Sequence, residues 1–160
     1  MGPTRTKSLG GKRYIMVVVD DFTRYTCVIL LRSNLDNPEH IEALCTRLEN
    51  EKSLKIDRIR SDNGKEFENS YMESFCTRSG ISQELSTPIT PQQNGVVERK
   101  NRVIQEMARA MLHNKDVARN LWGEAVNTAC HMVNRVYFRP GTKKTPYELW
   151  KGRKPNVKYF

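Results

Sequence analysis

The sequence has few of the features that mark secreted, membrane-spanning or zinc-binding proteins. Its longest apolar run, Tyr14 to Val19, is far too short to cross a bilayer, and no apolar run of signal-peptide length stands near Met1. The four cysteines form no CxxC pair and no His-x-x-x-His pair accompanies them, so zinc-site spacing is absent. We therefore expect buried thiols in a reducing compartment, no membrane partner and no secretion.

Acidic residues are scarce in the second part of the chain. Residues 1–89 carry 13 Lys and Arg against 13 Asp and Glu, whereas residues 90–160 carry 14 against 5 and thus hold the whole net charge of +9. A basic half on a neutral half favours a polyanionic partner, of which nucleic acid is the commonest. The alternative is a basic surface that is merely solvated.

Hydrophobic periodicity and turn residues predict an α/β layered fold, with no internal repeat. The predicted strands are Tyr14–Val19 and Tyr25–Leu31, forming a hairpin, then Leu54–Ser61 and Ile81–Leu85. Four helices are predicted. The first begins at Asn37-Pro38-Glu39, and the second runs over Glu68–Ser79 with Tyr71, Met72 and Phe75 facing inward. The third and fourth cover about 95–113 and 117–137. We divide the chain into a flexible segment (1–12), a core (13–138) and a basic tail (139–160).

The segment RIRSDNGKEFEN, Arg58 to Asn69, reads as a strand that breaks at a Ser-Asp-Asn-Gly turn. Asp62 therefore stands at a strand tip, which suits a metal ligand and equally suits an ordinary turn aspartate. On the helix predicted from residue 95, Glu98 lies on one face with Arg102, Gln105 and Arg109, opposite Val103, Met107 and Met111. The alternative for Glu98 is a solvated glutamate paired with Arg102.

Two carboxylates brought together by such a fold repel each other unless a cation lies between them. Mg²⁺ suits oxygen ligands and bridges carboxylates to phosphate oxygens, so Asp62 and Glu98 beside a basic helix face predict a phosphodiester site.

The motifs "YIMVVVDDFTRYT", "RSDNGKEF", "TPQQNGVVERKNR", "EAVNTA" and "TPYELWKGRKP" span nearly the whole chain. Together they resemble the integrase catalytic core of copia-type long-terminal-repeat retrotransposons. The resemblance implies a ribonuclease-H-like mixed sheet flanked by helices, and a triad of two aspartates and a glutamate in which Asp62 and Glu98 are the second and third members. It also implies two Mg²⁺ or Mn²⁺ ions and transfer of element DNA ends to a target strand by direct attack of a 3′-hydroxyl.

By the same resemblance, the DNA-binding residues are in the mobile "TPQQNG" loop and on the face of the following helix: Gln92, Gln93, Asn94, Arg99, Arg102, Gln105 and Arg109. The family implies homo-oligomers, element-end and target DNA as partners, and a location in the nucleus or in cytoplasmic virus-like particles.

The first aspartate of the triad is where the chain departs from the family. It would lie on a strand upstream of Gly2-Pro3, so we expect the first strand to be missing and the chain to be a piece of a longer polyprotein. Asp20 and Asp21 match the family's "DDF(S/T)RY" turn, and we assign them to a turn with Arg24 rather than to the triad. Glu66 and Glu68 are alternative ligands.

Because the first aspartate of the triad is expected to be missing, a second hypothesis is a non-catalytic nucleic-acid-binding remnant. A third hypothesis is a chain that does not fold stably alone.

Overall fold

The computed structural model forms two compact units, each described separately. The first unit comprises Met1–Leu30 and Val97–Phe160, and the second comprises Leu31–Val96. The structure describes residues 1–33, 37–62, 64, 67–85, 95–114 and 117–158.

The first unit is built on a β-hairpin and two long helices. Strands β1 (Tyr14–Val19) and β2 (Thr26–Leu31) pair with each other, and a connection this short permits only antiparallel pairing. Helices α3 (Gly95–Asn114) and α4 (Trp122–Val136) follow, separated by a short 3₁₀ turn at Arg119–Leu121. The core lies between hairpin and helices and contains Ile15, Ile104, Ala108, Trp122, Ala125, Val126, Ala129, Cys130 and Val133.

A buried asparagine joins α4 to β2. The Asn134 side chain is 3% exposed, accepts a hydrogen bond from the Thr26 backbone N–H at 2.9 Å and donates one to the Thr26 carbonyl at 2.8 Å. The Cys130 thiol also donates to that carbonyl at 3.2 Å. Helix and strand are therefore held by polar bonds as well as by apolar packing.

Residues 1–12, predicted to be a flexible segment, form hydrogen bonds with other residues of the first unit. The Met1 ammonium donates to the Ile15 carbonyl and the Ile15 N–H donates to the Met1 carbonyl, both at 2.9 Å. The Trp122 indole N–H donates to the Thr6 carbonyl at 2.8 Å, and Ser8 is buried. Residues 1–12 form these hydrogen bonds through their backbone groups, which the hydrophobic periodicity of a sequence does not reveal.

The basic tail contains a helix that was not predicted, α5 (Pro146–Lys151). Thr145 caps it in a reciprocal capping box with Glu148, and hydrogen bonds from Thr145 lower the pKa of the Glu148 carboxyl. Trp150 stacks on Tyr25 with ring centroids 5.1 Å apart. Trp150 is therefore a packing residue.

The second unit contains α1 (Asn37–Lys52), β3 (Arg58–Ser61), α2 (Ser70–Ser79) and β4 (Ser82–Leu85). Strands β3 and β4 are parallel, with Arg60 opposite Glu84 in register. Because α2 connects them, the pair is a crossover unit of the kind expected in α/β folds.

Both β3 and α2 start later than predicted. Leu54 is 70% exposed, and the Glu49 carboxylate accepts the Ile56 N–H at 2.9 Å, so the chain before Arg58 is bound to α1 instead of forming a strand. Asn69 caps α2 by accepting the Met72 N–H, which fixes the helix start at Ser70. Met72 and Phe75 are buried as predicted. Tyr71 is 43% exposed and donates to Glu42 on α1 at 2.7 Å, so its predicted inward position was wrong.

Gly80 ends α2 in the left-handed conformation, with φ at 67°. We expect Gly80→Ala to lower the free energy of unfolding by about 1 kcal/mol, because a Cβ strains this conformation, although no atom lies within 4 Å of it. The control is Gly10→Ala, where the nearest atoms are 4.0 Å from the added Cβ. Urea unfolding of both variants measures the difference, and equal midpoints would contradict the expectation.

Candidate active site

Asp62 follows β3 directly and is exposed. Exposure alternates along this segment: Arg58, Arg60 and Asp62 are exposed, whereas Ile59 is half-buried and Ser61 is buried. Alternation with a period of two places Arg58 and Arg60 on one face of β3, and the exposed Asp62, the residue after the strand, continues the alternation of exposure. The Asp62 carboxylate has no hydrogen bond or ion pair with any residue that the structure describes.

Glu98 lies in the first turn of α3, where the helix dipole favours an ionised carboxylate. Glu98, Arg99, Arg102 and Arg109 are exposed, and Gln105 is half-buried. The Arg109 guanidinium donates to the Gln105 side chain at 3.1 Å. Glu98 is exposed, as the alternative of a solvated glutamate also expects, and within the described ranges it makes no ion pair with Arg102.

The opposite side of α3 packs into the core of the first unit. Val103, Met107 and Met111 are partly buried there, as predicted, and Ile104 and Ala108 are buried most deeply. The predicted polar stripe is therefore the solvent face of this helix.

Each candidate ligand has a buried polar atom nearby whose hydrogen-bonding capacity is unused. In the part of the chain that the structure describes, two buried side-chain polar atoms have no hydrogen-bond partner, Ser61 Oγ and Asn101 Oδ1. Ser61 immediately precedes Asp62, and Asn101 lies about one turn after Glu98. Buried polar atoms are nearly always satisfied, so these two atoms are exceptions within the described residues.

Several predicted site residues fall outside the described residues, namely Gln92, Gln93, Asn94 and Glu66. Glu68 is described and exposed. No group of three His, Cys, Asp or Glu side chains able to hold a metal ion occurs within residues 1–33, 37–62, 64, 67–85, 95–114 and 117–158.

Asp20 and Asp21 are turn residues, as predicted. The Asp20 carboxylate accepts the Thr23 N–H at 2.7 Å and the Thr23 hydroxyl at 2.6 Å, and Asp21 forms an ion pair with Arg24. Both carboxylates are therefore occupied by contacts within the turn of the hairpin.

Hydrophobic periodicity and motifs did not single out Lys100, a half-buried lysine on α3. Burial lowers the pKa of its ammonium group, and the positive charge of Arg24 lowers it further.

Cys45, Cys76 and Cys130 are buried thiols, as predicted, and Cys27 is half-buried. Burial raises the pKa of Cys130 to about 12 and that of Cys45 to about 11, so neither is a reactive thiolate at neutral pH.

The model of the Integrase core domain family matches residues 3–91, which is more than half of the chain. The chain belongs to the integrase core domain family. Among curated relatives, this integrase core is 36% identical over 159 residues to the Retrovirus-related Pol polyprotein from transposon TNT 1-94 of Nicotiana tabacum, covering 99% of the chain and 12% of the relative. It is 32% identical over 149 residues to the polyprotein from transposon RE2 of Arabidopsis thaliana, covering 93% of the chain and 10% of the relative.

These relatives confirm the predicted kinship with retrotransposon integrase cores. The integrase core spans about a tenth of the length of the polyproteins that it matches. The copia subtype stays a prediction.

Solved structures confirm the ribonuclease-H-like fold. The integrase core superposes on the HTLV-2 integrase catalytic core domain in complex with magnesium with a TM-score of 0.66 at 22% identity, covering 92% of this chain and 91% of that one. It superposes on a chain of the simian T-cell lymphotropic virus intasome with a TM-score of 0.72 at 18% identity, covering 89% and 49%. In the described part of the integrase core no helix is long and apolar enough to span a membrane.

Proposed function

We propose that this integrase core carries out metal-dependent strand transfer for a copia-type retrotransposon. In this reaction a 3′-hydroxyl of element DNA attacks a target phosphodiester, a new P–O bond forms, and the target 3′-oxygen leaves without a covalent enzyme intermediate. The observation that carries the proposal is that Asp62, in the second unit, and Glu98, in the first unit, are exposed carboxylates without an ion pair to any residue that the structure describes. Membership of the integrase core domain family supports it.

Each of the two carboxylates, taken within its own unit, suits a hard divalent cation. Asp62 and Glu98 are carboxylates that no described cationic side chain neutralises, and oxygen ligands of this kind suit Mg²⁺ and Mn²⁺. The HTLV-2 integrase catalytic core domain, which is similar in fold, was solved in complex with magnesium. Bound ions, two in the intact family site, would stabilise charge on the attacking and leaving oxygens.

The exposed face of α3 would bind the DNA backbone. Arg99, Arg102 and Arg109 present guanidinium groups that pair with phosphate oxygens, and Gln105 holds Arg109 in place through the 3.1 Å hydrogen bond. The loop with Gln92, Gln93 and Asn94, which lies outside the described residues, would complete this surface. We propose homo-oligomers acting in the nucleus or in virus-like particles.

The test is a strand-transfer and disintegration assay with the full chain. Duplex element ends and a branched disintegration substrate are incubated with Mn²⁺, with Mg²⁺ or with a chelator. Product that requires either metal supports the transferase. DNA binding with no product under any condition contradicts it for this chain.

The second candidate function is a non-catalytic nucleic-acid-binding remnant. It is favoured by two observations on the described residues: they contain no group of three potential metal ligands, and exposed cations are concentrated after α4. These cations are Lys143, Lys144, Lys151, Arg153, Lys154 and Lys158. The same assay decides between the two functions.

We expect the double variant Arg102→Ala/Arg109→Ala to bind duplex DNA more weakly and with a shallower dependence on salt. Each lost phosphate contact should reduce the slope of log affinity against log salt by about 0.9. Fluorescence anisotropy at four salt concentrations measures the slope. The matched control is Arg47→Ala, an exposed arginine on α1. An unchanged slope in the double variant would exclude this face as the DNA-binding surface.

A further inference from the structure

The face of β3 that ends at Asp62 also carries two arginines. Arg58 and Arg60 share the more exposed face of β3, and Asp62, the residue directly after the strand, is exposed like them, whereas Ile59 and Ser61 are less exposed. Residues two apart on a strand lie about 6.6 Å apart. An arginine side chain spans that distance, so Arg60 is within reach of the Asp62 carboxylate.

A single glutamate on the neighbouring strand engages both arginines. Glu84 lies opposite Arg60 in the parallel register of β3 and β4. Its Oε1 accepts from Arg58 Nη1 at 2.5 Å, its Oε2 accepts from Arg60 Nε at 3.1 Å, and Arg60 Nη2 forms an ion pair with Oε2 at 3.1 Å. Both guanidinium groups are thereby drawn sideways toward β4, and Asp62 keeps no described cationic partner.

The two ion pairs contribute little to the stability of the fold. The side chains of Arg58, Arg60 and Glu84 are 50%, 40% and 37% exposed, and ion pairs at such sites are weak because water screens them. The ion pairs also determine whether Arg60 is free to pair with the Asp62 carboxylate. An uncommitted Arg60 would form a charge-assisted pair with the Asp62 carboxylate and occupy the oxygens that a cation requires.

We propose that Glu84 is a positioning residue that holds Arg60 away from Asp62 and so leaves the Asp62 carboxylate open to a divalent cation. The inference rests on the proposed function, because it assigns Asp62 a metal. It goes further in assigning a role to a residue that the family resemblance did not single out.

Mn²⁺ affinity of the full chain, measured by water-proton relaxation, tests the proposal. We expect Glu84→Gln to weaken binding by about two- to fivefold, the loss that an exposed competing ion pair imposes. The double variant Arg60→Gln/Glu84→Gln should regain wild-type affinity. Arg58→Gln/Glu84→Gln has the same net charge but leaves Arg60 uncommitted, so it should stay weak. Glu73→Gln, an exposed carboxylate on α2, controls for loss of charge.

Equal recovery in the two double variants would overturn the proposal, because it would show an effect of charge alone. A second readout needs no metal: the Nε–H resonance of Arg60 in a ¹H–¹⁵N spectrum. Asp62→Asn should shift this resonance in the Glu84→Gln background and leave it unchanged in the wild type. No shift in either background would also overturn the proposal. Absence of Mn²⁺ binding in the wild type would instead contradict the proposed function, while the resonance still reports on Arg60.

Discussion

An Asp62→Asn variant should lose metal-dependent strand transfer by roughly a thousandfold or more, with Glu98→Gln falling by a similar factor. Replacing a carboxylate by an amide removes the negative charge that holds the cation but preserves the size of the side chain. A thousandfold loss corresponds to ~4 kcal/mol of transition-state stabilisation, which is within the range that metal and electrostatic contributions supply in enzymes. The measurement is product formation with Mn²⁺ under single-turnover conditions.

Control variants at other carboxylates distinguish a metal ligand from a carboxylate that does not bind the metal. Glu68→Gln changes an exposed carboxylate close to Asp62 in sequence, and it also tests the alternative that Glu68 is a ligand. Asp21→Asn changes a carboxylate that is paired with Arg24. We expect both variants to transfer strands at close to the wild-type rate. Residual activity of Asp62→Asn within tenfold of wild type would remove Asp62 from the metal site.

Replacing Asn134 with alanine should lower the free energy of unfolding by about 2–4 kcal/mol. The Thr26 N–H would be left buried without its acceptor, and an unsatisfied buried group costs about 1–3 kcal/mol. The lost side-chain volume adds a cavity cost. The Thr26 carbonyl would keep the Cys130 thiol as a partner, which limits the loss.

Thermal and urea unfolding measure this effect. Asn127→Ala is the control, since Asn127 is an exposed asparagine on the same helix and its replacement should change stability by at most about 0.5 kcal/mol. If the two variants unfold alike, the hydrogen bonds of Asn134 do not hold α4 to β2. The proposed transfer chemistry would be unaffected by that outcome.

Elements with strong local periodicity were predictable from sequence. The apolar residues that recur at helical spacing over 121–136 predicted one buried side of α4, and Trp122, Ala125, Val126, Ala129 and Val133 are buried, whereas Leu121 is half-buried and Val136 is 49% exposed. The Ser-Asp-Asn-Gly turn placed Asp62 at the end of β3. The helical phase of α3 placed Glu98 on its solvent face. Each of these inferences depends on neighbours within a few residues.

Features that depend on contacts between distant segments were not predictable in the same way. The late start of β3 follows from the bond between Glu49 and Ile56, and the exposure of Tyr71 follows from its bond to Glu42. The pairing of Glu84 with two arginines requires the parallel register of β3 and β4, which spacing alone does not reveal. Helix α5 is a different case, because Thr145 and Glu148 form a capping signature that was readable in the sequence.

The bonds between Asn134 and Thr26 also bear on how β2 can slide along β1. A slip of β2 by one residue would turn every one of its side chains to the other face. The Asn134 amide matches one N–H and one carbonyl of a single residue, as a third strand would. A slipped β2 would present different backbone groups to a rigid helix and lose both bonds, so α4 selects one alignment of the hairpin.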